Sequence, residues 1–361
     1  MTTTQPLNPP STDPTPIFEF FRGSYATDLL TASVAHFELF GRLAKGARTL
    51  AELQADLGIE ERPAVVLTTA LRAMKLLNRK ENGQFELTEL AREHLVGGDP
   101  FDVGNYLGLA AAAPSVLNMV ERLRTNRPAG LGSSGEGDAF IYRDGMKSAM
   151  EQSQLAEHFT IALSGRAKNV APVLASQVAL KGAATILDIG GGTGIYSIAF
   201  ARANPDLQAI VLDRTEVLKI ADRFVSEFEV GDRVELMSGD MFTSPLPPVD
   251  AILLSNILHD WDIRECRMLI GRCAKSLKPG GKIIIHDVLL NNELDGPLPI
   301  ALYSAALFSL TEGRAYSAHE YNSWLIEAGL IAEPPIPTLV HCHAIVAVPA
   351  PVPLRIRSDR N

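Results

Sequence analysis

From Thr185 onward, short apolar runs alternate with helix-length amphipathic segments, and few folds satisfy that alternation. The pattern predicts strands over 185–189, 208–213, 233–238, 249–254 and 282–287. Helices fall between them over 195–203, 215–228 and 262–277. Strands and helices in turn give a mainly parallel sheet with helices on both faces, an α/β fold. Such sheets take ligands beyond the carboxyl ends of their strands, so any chemistry belongs just after each strand.

The N-terminal half reads differently. Residues 1–16 are rich in Thr and Pro and read as a disordered arm; the tail 350–361 reads as flexible. Residues 17–47 carry Leu29, Leu30, Val34, Phe37 and Phe40 at helical spacing. Helices over 50–57 and 63–77 follow, separated by Gly58, with Pro63 in the first turn of the second. Asn82-Gly83 then marks a tight turn before Phe85-Glu86-Leu87. Helix, turn, helix and hairpin outline a winged helix. Residues 61–80 hold five basic side chains and one acid, but 46–96 hold seven against eight. With acids flanking the helix, a dimerisation module is preferred to a DNA reader. Residues 101–180 are mainly helical, interrupted by the Gly/Ser loop 130–137.

Composition narrows the function classes. The net charge of −9 disfavours a generic nucleic-acid binder. The apolar stretches 108–120 and 298–310 are too short to span a bilayer, and no secretory signal opens the chain. Three cysteines without a C-x-x-C pair suit reduced thiols in the cytoplasm. Cys266 and Cys273, seven apart on one helix, should pack as small hydrophobes. His341-Cys342-His343 has no second ligand cluster, so a structural role is preferred and no metal is expected.

The strand ends hold the informative residues. The first ends in Asp188-Ile189-Gly190-Gly191-Gly192-Thr193-Gly194, a sharp turn a ligand can approach closely. Position 195 is Ile, so the dinucleotide G-x-G-x-x-G fails, and no P-loop is present. Asp213 closes the second strand, 19 residues past Gly194, where a carboxylate can accept both hydroxyls of a ribose. Gly239-Asp240-Met241 follows the third strand, with an acceptor for an adenine amino group and a thioether for the purine face. The fourth runs into Ser255-Asn256, then His259-Asp260-Trp261-Asp262, where Asp262 and Glu265 have capping-box spacing.

The runs ILDIGGGTG, VLD, GDMF, LLSNILHDWD and LKPGGKIIIHDVLL resemble the S-adenosylmethionine-dependent O-methyltransferases, specifically the group of plant caffeate, acetylserotonin and bacterial natural-product enzymes. The resemblance covers most of the chain and implies a Rossmann-like class I methyltransferase domain over 181–349. It also implies a winged-helix dimerisation domain over 17–110, a helical linker over 111–180 that contributes to the substrate pocket, and a homodimer. It places Gly190, Gly192 and Gly194, with Asp188, near the methionine part of S-adenosylmethionine. Asp213 with Arg214 falls at the ribose, Asp240 with Met241 at the adenine, and Ser255 at the cofactor edge. The position matching His259 is the general base, and Asp287 is a candidate to hold its imidazole. A neutral hydroxyl is a poor nucleophile, and an imidazole that is neutral at pH 7 can take its proton during attack. The sulfonium is the electrophile, so no metal is needed.

The same resemblance makes 298–310 the substrate helix, with Leu302, Ala306 and Leu310 on one face and Met146 and Met150 closing the other side of an apolar pocket for a small aromatic or polyketide-like acceptor. Two positions depart from the family. Ser255-Asn256 stands where Lys or Arg is common, and Ala315 stands where a second acid usually sits. These departures keep C- or N-methylation, or a non-methylating use of the cofactor, open beside O-methylation. The basic residues of 61–80 keep open a DNA-binding regulator with a ligand-sensing α/β domain.

Overall fold

The computed structural model describes residues 5–128 and 153–351, with side chains from 157 in the second stretch. Helices α1 (Thr15–Arg22), α2 (Ser24–Thr31) and α3 (Leu39–Ala44) open the N-terminal half. Next comes α4 (Leu50–Leu57), started by a reciprocal capping box between Thr49 and Glu52 and ended by Gly58 at φ +66°. It is followed by α5 (Glu61–Ala73) and the antiparallel hairpin β1 (Leu77–Arg79) and β2 (Phe85–Leu87). Gly83, at φ +82°, makes the hairpin turn. Helices α6 (Glu89–His94), α7 (Gly104–Leu107) and α8 (Pro114–Thr125) complete this half. Its core gathers Leu29, Phe40, Leu53, Leu67 and Leu71, each contributing about 1.5–3 kcal/mol by burial.

A long helix, α9 (Ser153–Gln177), leads to the sheet. Strands and helices then follow as β3 (Thr185–Ile189), α10 (Ile195–Ala203), β4 (Gln208–Asp213), α11 (Thr215–Glu227), β5 (Val234–Ser238), β6 (Val249–Ser255), α12 (Ile263–Ser276) and β7 (Leu277–Leu290). Beyond them lie α13 (Leu298–Leu310), β8 (Tyr316–Ser317), α14 (Ala318–Glu327), β9 (Leu330–Ala332), β10 (Ile336–Pro337) and β11 (Cys342–Pro349).

The sheet order is β10-β11-β7-β6-β3-β4-β5. Pairs from β7 to β5 are parallel, whereas β11 runs antiparallel to β7. The sheet is thus mainly parallel, as the alternation predicts. Strand order reverses between β3 and β6, so the carboxyl ends of these two strands flank the crevice where a ligand belongs. The fifth predicted strand, 282–287, extends to Leu277–Leu290 because β6 pairs with Leu277 at its start and β11 and β8 pair with its far end. Helix α13 is apolar all round, and both halves explain it. Leu302, Ala305 and Phe308 enter the N-terminal core, while Ile300, Ala301 and Leu307 pack with Val288 and Leu290 of β7.

Candidate active site

The turn after β3 is shaped by glycine. Gly190, Gly192 and Gly194 all have positive φ, at +65°, +59° and +72°. Gly191, which the spacing of the other three does not single out, is also tightly enclosed. A Cβ there would lie 2.8 Å from both Asp188 Cγ and Val211 Cγ1. Nothing lies within 4 Å of a Cβ built on Gly192, so the turn is open on that side. Asp188 is buried beneath it, and its Oδ2 accepts from Ser197 Oγ at 2.9 Å. Asp188 Oδ1 has no partner. Burial, with the nearby Asp213 charge, pushes Asp188 up to about 7 against the Ser197 hydrogen bond.

Asp213 closes β4 and faces back to the same turn. Its Oδ2 accepts from Gly192 N at 2.9 Å and its Oδ1 from Arg214 N at 2.7 Å. Each oxygen keeps a lone pair for a further donor. Burial raises its pKa, partly offset by these two backbone bonds. Asp240 is exposed after β5, with Oδ1 accepting from Phe242 N, and Met241 beside it is half-buried. A buried acceptor without a donor, a carboxylate with spare lone pairs and an open glycine turn fit a cationic, hydroxyl-bearing ligand such as S-adenosylmethionine. Arg214 is exposed at the start of α11. Ser255 is engaged away from this turn. Its Oγ lies 2.8 Å from His286 Nδ1 and accepts from Asn256 Nδ2 at 3.1 Å. Burial, helped by the Arg166 charge, pulls His286 down to about 3, so it is neutral.

The loop after β6 carries the imidazole. Asn256 takes left-handed φ (+56°) as the chain leaves the strand, and a Cβ at Gly190 would sit 2.5 Å from Ile257 Cδ1. The histidine loop therefore packs directly on the glycine turn, with His259 two residues beyond the contact. His259 and Asp287 are both buried, with Nδ1 2.5 Å from Asp287 Oδ1. Asp287 also accepts from Val288 N at 2.8 Å and from the Tyr321 hydroxyl at 3.0 Å. Burial alone would favour a neutral Asp287, but the His259 charge and hydrogen bond, the Arg166 charge and the Val288 backbone bond hold it below its ordinary range. An ionised carboxylate can only accept, so His259 Nδ1 is the donor and Nε2 keeps its lone pair. Burial also works against charge on His259, yet Asp287 and Asp260 outweigh it and raise the imidazole pKa. Asp260 Oδ1 stands 3.6 Å from Nε2, and burial pushes that carboxyl up to about 7.

The structure brings His259 and Asp287 into contact, and residues that sequence reasoning misses fix them. A Cβ at Gly313 would collide with His259 O and lie 2.6 Å from Trp261 N, so only glycine lets 311–315 brace the loop. Tyr321, on α14, and Tyr303, whose ring meets His259 edge-on at 5.8 Å, come from helices far along the chain. No local signal marks them. Ala315 is fully buried, and its N–H donates to Ser304 Oγ. On α13 the expected apolar face shifts. Leu302 packs into the N-terminal core, and the half-buried stripe is Tyr303, Ala306 and Leu310. Spacings of three and seven align that stripe, whereas Leu302 is turned about 100° from Tyr303. Met146 and Met150 lie outside the described residues. Asp262 caps α12 by accepting from Ile263 N rather than from a position near Glu265. Cys266 and Cys273 are buried in one cluster, as their spacing predicts. His341 precedes β11 with φ +59° and pairs with Glu19 at 2.6 Å, so it does not share a strand face with His343. Among the described residues no group of three potential ligands could hold a metal, and no helix is long and apolar enough to cross a membrane.

A family model for the O-methyltransferase domain matches residues 134–331. The chain is 33% identical over 319 residues to a 3-hydroxy-5-methyl-1-naphthoate 3-O-methyltransferase of Streptomyces sahachiroi, covering 88% of this chain and 89% of that one. It is 28% identical to the tetracenomycin polyketide synthesis 8-O-methyl transferase of Streptomyces glaucescens, covering 88% and 91%. Among solved structures, an O-methyltransferase family 2 protein from Planctomyces limnophilus in complex with apigenin superposes with a TM-score of 0.85 at 45% identity, covering 96% of this chain and 99% of that one. The fold, the matched domain and the near-full-length relatives agree: the chain belongs to the S-adenosylmethionine-dependent O-methyltransferases.

Proposed function

We propose that the enzyme methylates a hydroxyl of a small aromatic or polyketide-like acceptor of secondary metabolism, with His259 as general base. One observation carries this reading: His259, fixed through Nδ1 by ionised Asp287, sits on a loop packed against the glycine turn through Ile257. The hydroxynaphthoate and the polyketide in the names of two relatives, and the apigenin bound to a structural neighbour, support the acceptor class.

Asp188 and the turn Gly190–Gly194 would hold the methionine part of S-adenosylmethionine, with Asp213 and Arg214 at the ribose, Asp240 and Met241 at the adenine, and Ser255 acting through Asn256. The bound sulfonium supplies the electrophilic methyl group. His259 Nε2 receives the acceptor's hydroxyl proton as the oxygen attacks, and Asp287 stabilises the imidazolium. Tyr321 keeps Asp287 turned toward the ring, and α13 offers Ala306 and Leu310 as apolar wall. Domain roles follow: 181–349 binds cofactor, 111–180 helps close the pocket, and 17–110 joins two chains. Ile17, Phe20 and Phe21 on α1 are 70–83% exposed, a surface suited to a second copy.

The test is incubation with S-adenosylmethionine and a panel of hydroxylated aromatics, with products read by mass spectrometry. Transfer to oxygen supports the reading. Transfer to carbon or nitrogen, or none with any acceptor, overturns it.

A further inference from the structure

The turn after β5 is gripped by a residue of another element. Arg272, half-buried on α12, donates from Nε to Met241 O at 3.1 Å and from Nη2 to Ser244 O, so one guanidinium holds both ends of 241–244. Within the turn, Asp240 N donates to Ser244 Oγ at 2.9 Å and Ser244 N to Asp240 O at 2.8 Å. Phe242 N donates to Asp240 Oδ1 at 2.7 Å, which fixes the carboxyl group and leaves Oδ2 for a donor from outside the turn. At the base of the turn, Gly239 N donates to Asp213 O at 3.0 Å, and a Cβ on Gly239 would lie 2.9 Å from Ser244 Oγ.

The local bonds give the turn its shape. Its placement over the domain rests on Phe242, whose ring meets Trp261 edge-on at 4.8 Å, and on Arg272. A planar guanidinium presents its donors in a fixed fork and so sets two carbonyls at once, which a single ammonium does poorly. We propose that Arg272 is a positioning residue for base selectivity: by holding Met241 O and Ser244 O it aims Asp240 Oδ2 at the amino group of an adenine and so rejects a base with a carbonyl there. A carboxylate set against a carbonyl brings two acceptors together and leaves both without a donor. The proposal rests on the reading of Asp240 as the adenine acceptor, and Arg272 acts through the turn rather than on the ligand.

The test measures S-adenosylhomocysteine and its deaminated analogue, S-inosylhomocysteine, by calorimetry on the full chain. Wild type should prefer the adenosyl compound by roughly tenfold or more. Arg272→Gln should cut that preference to within about threefold, through weaker adenosyl binding, with the ligand-free thermal midpoint near wild type. Arg272→Lys should keep an intermediate preference. Asp240→Ala separates the two readings. If wild type shows no preference, or Asp240→Ala leaves it intact, Asp240 does not meet the base and the proposal falls with that reading. If Asp240→Ala removes the preference while both Arg272 variants retain it in full, the adenine reading stands and the role of Arg272 is overturned. A lowered thermal midpoint with an unchanged preference makes Arg272 a purely structural tie and overturns it as well.

Discussion

Asp287 Oδ1 stands 2.5 Å from His259 Nδ1, and the other Asp287 oxygen accepts the Tyr321 hydroxyl at 3.0 Å. The carboxylate is thus held from two directions, and the imidazole has one tautomer open to it. The fully buried Ala315 leaves no second acid at its position, and among the described residues Asp260, 3.6 Å from Nε2, is the other carboxyl beside the ring.

Replacing His259 with Ala should lower kcat by roughly 10²–10⁴-fold, the usual worth of base assistance. S-adenosylmethionine affinity, measured by calorimetry, should stay within a few fold. Undiminished turnover would remove the base.

Asp287 raises the His259 pKa against burial, so the acidic limb of kcat/KM lies above the ordinary imidazole value of about 6.5. Asp287→Asn removes that charge. The limb should move to lower pH, and kcat should fall by roughly 10–10³-fold because the tautomer is no longer enforced. A pH–rate profile of the two proteins checks both signs; a limb that moves upward contradicts the assignment.

Gly313→Ala forces a Cβ into the backbone of His259 and Trp261, atoms that cannot swing aside. Overpacking of this kind costs about 1–3 kcal/mol. The thermal midpoint should drop, and kcat should fall at temperatures where the variant is still folded, since the displaced loop carries the imidazole.

Arg62 ties the two halves to this same brace. Its Nε and Nη2 donate to Asn126 at 2.8 and 3.0 Å, and its Nη1 to Thr311 O and Gly313 O at 2.9 and 3.2 Å. Arg62→Ala should destabilise by about 1–3 kcal/mol through the acceptors it strands, read by denaturant midpoint. Arg62→Lys should recover only part, because one ammonium cannot span both sides.

Asp213→Ala removes the carboxylate that joins the end of β4 to Gly192 N. Losing charged hydrogen bonds worth about 1.5–3 kcal/mol should weaken S-adenosylmethionine binding by roughly 10–100-fold. Unchanged affinity would place the ribose elsewhere.

The sequence by itself determined the parallel strands and the residues at their ends, because short apolar runs, glycine turns and strand-terminal acids are local signals. The glycine turn and Asp213 stand out that way, whereas His259 is singled out only by the family resemblance. Only tertiary structure decided how those residues are held and what else meets them. Gly191 against Val211, Gly313 against the His259 backbone, Tyr321 on Asp287 and Arg22 and Arg166 around Tyr303 join segments that are far apart in the chain. Leu302 illustrates the limit: spacing alone could not tell which stripe of a helix apolar on every side would face His259. Packing between two halves settles such choices, and no stretch of chain short enough to carry a periodicity contains both partners.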